Sequence, residues 1–268
     1  MTCLVDVLEV KLMTGGDGMN ILEFVNEMKE KATRGLLEVS DGGKSVRKTH
    51  TFQIGQAETI IIRGGAIEKA GITHLTLKGV KIPGTDEEAD ANVYQMEVFP
   101  ENPSCPMGHF NIEWTTRGAA GYNTTLDLFP ALRIQEDLDA VREVIDTVAE
   151  QFGRDKSRIR ERLAVQYNMD HWSSPLSAKV GCQLKELEES DLNLLMTAYR
   201  TFFNTYLDIL SKRKDARFGD EERRLNLERN SKWLQYFTLK DRAVKMAQAT
   251  GVPPEVLISL GYPPSVVF

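Results

Sequence analysis

Phe99-Pro100-Glu101-Asn102-Pro103-Ser104-Cys105-Pro106-Met107-Gly108-His109-Phe110-Asn111-Ile112-Glu113-Trp114 carries three prolines within seven residues and then alternates strictly between polar and apolar side chains. Proline has no amide donor, so the first half is neither a helix nor an inner strand. It reads as a stiff, kinked loop. The second half has period two, which predicts a strand with His109, Asn111 and Glu113 on one face and Phe110, Ile112 and Trp114 on the other. A polar outer face of an antiparallel sheet would show the same alternation. An imidazole, an amide and a carboxylate delivered together by a rigid loop also describe a site.

Around this stretch the composition is that of an ordinary globular chain: 41% hydrophobic and 27% charged over 268 residues. A net charge of −6 disfavours nucleic acid as a partner. Cys3, Cys105 and Cys182 have no paired spacing, which fits a reducing compartment and no structural zinc. Met1 to Met13 holds Asp6 and Glu9 and lacks a cationic start, so no secretory leader is expected. No apolar run reaches the ~20 residues of a membrane span. The expectation is a cytoplasmic protein acting on a small molecule.

In chain order, Met19 to Leu36 predicts an amphipathic helix, with Ile21, Phe24, Val25, Met28 and Ala32 at helical spacing. Asp41-Gly42-Gly43 is a turn. Strands are expected over Thr51 to Arg63, Ile72 to Val80, Tyr94 to Phe99 and Tyr122 to Phe129, the last ended by Pro130. Gly84 to Ala91 is an acidic hairpin loop and Gly118 to Gly121 a turn. Gln135 to Glu161 turns helical, with a second helix from near Asp155, and Tyr167 to Gly181 is irregular. Glu189 to Leu210 is a long helix and Asp220 to Asn230 a charged one. Lys232 to Lys240 alternates as a late strand, and Val244 to Thr250 is a short helix. Strands first and helices later predict one α+β domain over residues 1–268, a single large antiparallel sheet with helices on both faces.

Several segments then resemble, in the correct order, the oxygen-dependent coproporphyrinogen III oxidase family. They are Arg63-Gly64-Gly65-Ala66-Ile67-Glu68-Lys69-Ala70-Gly71-Ile72, the proline loop with His109 and Asn111, and Leu126-Asp127-Leu128-Phe129-Pro130. Phe203-Asn204-Thr205-Tyr206-Leu207-Asp208-Ile209-Leu210, Lys240-Asp241-Arg242-Ala243-Val244-Lys245 and Leu257-Ile258-Ser259-Leu260 complete the set. The resemblance implies a flat sheet between helices, a homodimer and a cleft over the sheet. It also implies a reaction in which propionates become vinyl groups with loss of carbon dioxide, with dioxygen as co-substrate and neither metal nor organic cofactor.

By that resemblance Asp241, placed by the sequence at a strand end, is the base that removes a pyrrole proton, with Arg242 beside it to hold it or to clamp a substrate carboxylate. Asp127 and His109 are the other catalytic candidates. Asn111, Arg242, Glu113, His171 and Lys232 are the expected substrate-binding set, with Lys78, Arg133 and Lys179 as further cations. Glu113 stands where the family carries arginine, and His171-Trp172-Ser173-Ser174-Pro175-Leu176-Ser177 lacks the family's second arginine. Leu75 and Gln235 replace a serine and a glutamate. Two lost bidentate contacts of about 1.5–3 kcal/mol each weaken recognition of a tetracarboxylate. Three functions fit: a divergent coproporphyrinogen oxidase, an oxidase of another small molecule, or a non-catalytic binder. No metal is expected, because His109 and Glu113 are about 13 Å apart along a flat strand. Only His109 and Asn111 with Asp127 or His74 would offer a ligand set.

Overall fold

A computed structural model describes residues 19–81, 88–117 and 121–267. The expectations for Met1 to Met13 and Cys3 lie outside those residues, as do the first half of Gly84 to Ala91 and most of Gly118 to Gly121. The chain opens with α1 (Ile21–Ser40), started by a reciprocal cap. Asn20 Oδ1 accepts from the Leu22 and Glu23 amides at 3.0 Å, and Glu23 Oε2 accepts from the Asn20 amide at 3.2 Å. Six strands follow, β1 (Lys44–Phe52), β2 (Gly55–Gly64), β3 (Ile67–Lys81), β4 (Glu88–Pro100), β5 (Met107–Arg117) and β6 (Tyr122–Phe129). Then come α2 (Gln135–Gln151), α3 (Arg158–Gln166), β7 (Cys182–Leu187), a 3₁₀ turn at Glu189–Asp191, α4 (Leu192–Arg213), α5 (Asp220–Leu239), α6 (Arg242–Ala249) and α7 (Pro254–Gly261). The strands form one antiparallel sheet in the order β1 to β7, each beside its sequence neighbour.

The alternation of β5 sorts the two faces as expected. Phe110, Ile112 and Trp114 join Tyr94, Met96, Leu126 and Leu128 beneath Phe24, Tyr199, Phe202 and Phe203 of α1 and α4. Each buried aromatic there contributes roughly 1.5–3 kcal/mol. The opposite face meets α3, α5, α6 and α7 through Leu163, Trp233, Phe237, Val244 and Val256. This second layer roofs His109, Asn111 and Glu113. The proline loop is braced from the first layer: Tyr206 Oη donates to Pro106 O at 3.0 Å, and a Cβ on Gly108 would lie 2.7 Å from the Tyr206 ring. On the second face a Cβ on Gly71 would come within 2.3 Å of Ser259 O, so glycine lets α7 lie directly on β3.

Three expected elements are corrected. The span Thr51 to Arg63 is not one strand, because a turn at Gln53 and Ile54 splits it into the end of β1 and the whole of β2. Lys232 to Lys240 is no strand. It is the last half of α5, whose Trp233, Tyr236 and Phe237 are buried at helical spacing while Leu239 is 60% exposed. No breaker separates it from the charged turns before it. The stretch read as irregular up to Gly181 leads into β7, which closes the far edge of the sheet. Residues from Glu88 onward, assigned to the acidic loop, belong to β4. No helix among the described residues is long and apolar enough to cross a membrane.

Lys69 is buried where α7 ends. Its Nζ donates to Ile258 O at 2.6 Å and Tyr262 O at 2.5 Å, and burial lowers its pKa to about 7. Between about pH 7 and the ~10.4 of a free lysine, the unfolded chain therefore holds a proton that the folded chain lacks. Stability contributed by this group rises with pH across that window and is lost as pH falls through it. Wild type should gain on Lys69→Met from pH 7 to 10 by at most about 1.4 kcal/mol per unit. Urea unfolding of both proteins at three pH values measures it, and a constant difference would contradict it.

Candidate functional site

Strand register brings the polar residues of the second face into rows. Glu97 on β4, His109 on β5 and Asp127 on β6 are direct neighbours across three strands. The next row runs Thr59, Thr73, Gln95, Asn111, Thr125 and Gln183 across six strands. Glu113 lies one step further, between Val93 and Asn123. All members of the first two rows are buried. A polar band of this length under helices requires hydrogen-bond partners within the protein or in a ligand.

The imidazole of His109 is fixed on both sides. Its Nδ1 meets Glu97 Oε1 at 2.7 Å and its Nε2 meets the Tyr167 hydroxyl at 2.8 Å. Gln95 Nε2 donates to the same Glu97 oxygen at 2.7 Å. Glu97 Oε2 is buried with no partner among the described residues. The ring lies nearly parallel to Phe129, at 5.8 Å, with Trp233 at 5.7 Å. Burial pushes this imidazole toward neutrality, but the adjacent Glu97 carboxylate outweighs it and leaves the pKa raised.

Asp127 is anchored. It accepts from the Ser177 hydroxyl and, through Oδ1, from the Val180 and Gly181 amides at 3.2 Å each. It thus pins the segment Ser177 to Gly181 onto the edge of the floor. Burial raises its pKa against those three donors. Asp241 is not at a strand end, since α5 is a helix there. It is the N-cap of α6, with Oδ1 accepting from the Ala243 amide at 2.8 Å and the Val244 amide at 3.2 Å. Nothing among the described residues donates to its Oδ2. Burial raises its pKa too, and His109 is near enough to oppose that. Both carboxyls are near enough to the imidazole to favour its protonated form.

The binding set divides. Asn111 and Glu113 lie on the floor, joined by Asn111 Nδ2 donating to Glu113 Oε1 at 3.3 Å. Burial raises the pKa of Glu113, and Asp241 adds to the effect. His171 and Lys232 lie together at the rim. His171 Nε2 meets Gln235 Oε1 at 3.0 Å, and the Lys232 ammonium sits 5.6 Å over the Trp172 ring. Arg242 is corrected: it is exposed on the first turn of α6 and makes no ion pair with Asp241. Lys78, Arg133 and Lys179 are exposed as well. His74 faces the other side of the sheet, stacked on Trp114 at 5.5 Å, so it cannot join His109 around an ion. Among the described residues no three of His, Cys, Asp and Glu are placed to hold a metal.

Three residues were missed. Glu97 and Gln95 were readable, because Tyr94-Gln95-Met96-Glu97-Val98 alternates like β5. Tyr167 lies in the irregular stretch after α3, and only the tertiary fold brings it to His109. The architecture is an α+β fold, one seven-stranded antiparallel sheet between two helical layers. The chain belongs to the coproporphyrinogen III oxidase family, whose model matches residues 20–268.

Asp127→Asn should cost about 1–3 kcal/mol of stability, since an amide NH2 would face donors in place of an acceptor oxygen. Urea unfolding at pH 7 measures it. A neutral effect would mean that the three donors do not depend on the carboxylate.

Proposed function

We propose that this chain is a dioxygen-dependent oxidase, working without an organic cofactor, on an electron-rich small molecule less anionic than coproporphyrinogen. The charge balance of the floor carries this reading. Glu97, Glu113, Asp127 and Asp241 surround one imidazole. The two buried basic groups on that side are committed elsewhere: Lys69 to Ile258 O and Tyr262 O, Arg229 to Phe129 O and Asn230 Oδ1. The remaining candidates for a propionate are exposed or, in Lys232, stacked at the rim. A substrate with four carboxylates would meet repulsion here without bidentate compensation.

The chemistry keeps the family's first steps, deprotonation and reaction with dioxygen, without loss of carbon dioxide. Asp241 Oδ2, desolvated and unoccupied by donors, removes an N–H proton from the substrate. The resulting anion is electron-rich enough to reduce dioxygen directly, and the oxidised substrate and peroxide leave. Asn111, Gln95 and the paired threonines hold the polar edge of the ring.

Anaerobically prepared coproporphyrinogen, mixed with enzyme and air, should release no carbon dioxide above an enzyme-free control. Coproporphyrin should leave the tryptophan fluorescence unquenched. Dioxygen uptake is expected instead with uncharged or cationic pyrroles and indoles, and Asp241→Asn should abolish it. Carbon dioxide release from the tetra-acid would return the substrate to coproporphyrinogen. An Asp241→Asn variant as active as wild type would remove the base.

A further inference from the structure

We infer that Glu97, His109 and Tyr167 form a proton relay that ends at the Tyr167 hydroxyl and serves as a second acid–base unit, separate from Asp241. The geometry is a continuous chain: carboxylate to Nδ1 at 2.7 Å, Nε2 to phenol at 2.8 Å. Packing against Phe129 and Trp233 prevents the ring from turning out of it. With Nδ1–H held by Glu97, neutral His109 accepts the Tyr167 proton at Nε2. When His109 is protonated, Nε2–H donates to the phenol oxygen, and the phenol proton is free to point away. One proton arriving at the imidazole thus reverses the direction in which Tyr167 donates.

The groups facing the imidazole decide where that proton can go. From β4 comes Glu97, already bonded to it. From β6 comes Asp127, filled by the Ser177 hydroxyl and two amides. From the turn before α6 comes Asp241, with one oxygen free of donors. From α5 come Trp233, whose indole N–H donates to Gly261 O at 2.7 Å, and Tyr236, whose hydroxyl accepts from Gln166. Tyr167 is the exit bonded directly to Nε2, the nitrogen that changes protonation.

The use assigned to the relay rests on the oxidase reading. When the substrate anion combines with dioxygen, the adduct carries a terminal peroxide oxygen with a negative charge. Tyr167 O–H breaks as the peroxide O–H forms, and His109 Nε2–H breaks as the Tyr167 O–H is restored. Once the product has left, Asp241 returns the substrate proton to solvent and His109 takes one up, so both residues end as they began.

The test needs no turnover, so its failure is distinct from that of the oxidase reading. Protein labelled with ¹⁵N-histidine is followed by long-range ¹H–¹⁵N spectra from pH 5 to 9, with the four histidines assigned by substitution. Wild-type His109 should titrate above the range of an exposed imidazole and lose its proton from Nε2, keeping Nδ1–H. Glu97→Gln should shift the midpoint downward. Tyr167→Phe, which keeps the ring packing, should slow exchange of the Nε2 proton with solvent, because the exit is gone. A hydroxyl that merely covered the imidazole would give faster exchange in Tyr167→Phe, and that result overturns the relay. So does a wild-type His109 that carries its neutral proton on Nε2. Should Glu97→Gln fail to fold, the tautomer and the Tyr167→Phe exchange rate decide alone.

Discussion

The Glu97–His109 pair is the constraint from which the second layer follows. Both side chains are at most 3% exposed, so neither charge is solvated by water. An ion pair in that position survives only if its remaining valences are met, and removing one partner of such a pair typically costs about 3–5 kcal/mol. Gln95 and Tyr167 meet two of them. That need explains why α3 ends where it places Tyr167 over the sheet. It also explains why Phe129, Trp233 and Tyr236 gather around the imidazole and leave it no rotational freedom. The aromatic roof keeps water out, and a dry surround makes each remaining contact stronger.

Most of the sheet was legible because its central strands are covered on both faces by different chemistry. In β5 and β6 an apolar side chain packs toward α1 and α4 while the next one faces the site, so period two is visible in the letters. The failures lie where that contrast is missing. In β1, Lys44 to Thr49 are exposed on both faces, and a lone Val46 marks no period. In β7, Cys182, Gln183 and Leu184 are buried in succession, with no alternation at all. In α5, the run Trp233-Leu234-Gln235-Tyr236-Phe237 fits either period. Only continuity with Asp220 to Asn230 favours the helix.

The site shows the same division. His109, Asn111, Glu113 and Asp127 could be placed on one face from strand periodicity alone. Glu97 obeyed the same rule and was passed over as part of an apolar strand. Tyr167, Ser177 and the exposed position of Arg242 depend on how loops and helices return to the sheet, which no local pattern encodes. Asp241 is placed by a helix N-cap and not by the strand end that had been invoked for it. A helix N-cap positions a carboxyl as firmly as a strand end does, through two amides in place of a ladder.

That cap also bears on the charge of the ligand. Burial opposes the anion of Asp241, while two amides, the positive end of α6 and the nearby His109 favour it. With those amides bonded to Oδ1, the carboxylate presents only Oδ2 to a substrate. The positive character of the floor is then limited to the helix terminus and the His109 imidazole. In the proposed reaction such a site would stabilise one negative charge, first on the deprotonated ring and then on the peroxide. It cannot hold four standing carboxylates as well, because each would compete for the same few donors against Glu97, Glu113 and Asp127. A transient anion and a permanent polyanion make opposite demands on a buried site, and the proposed reaction makes only the first.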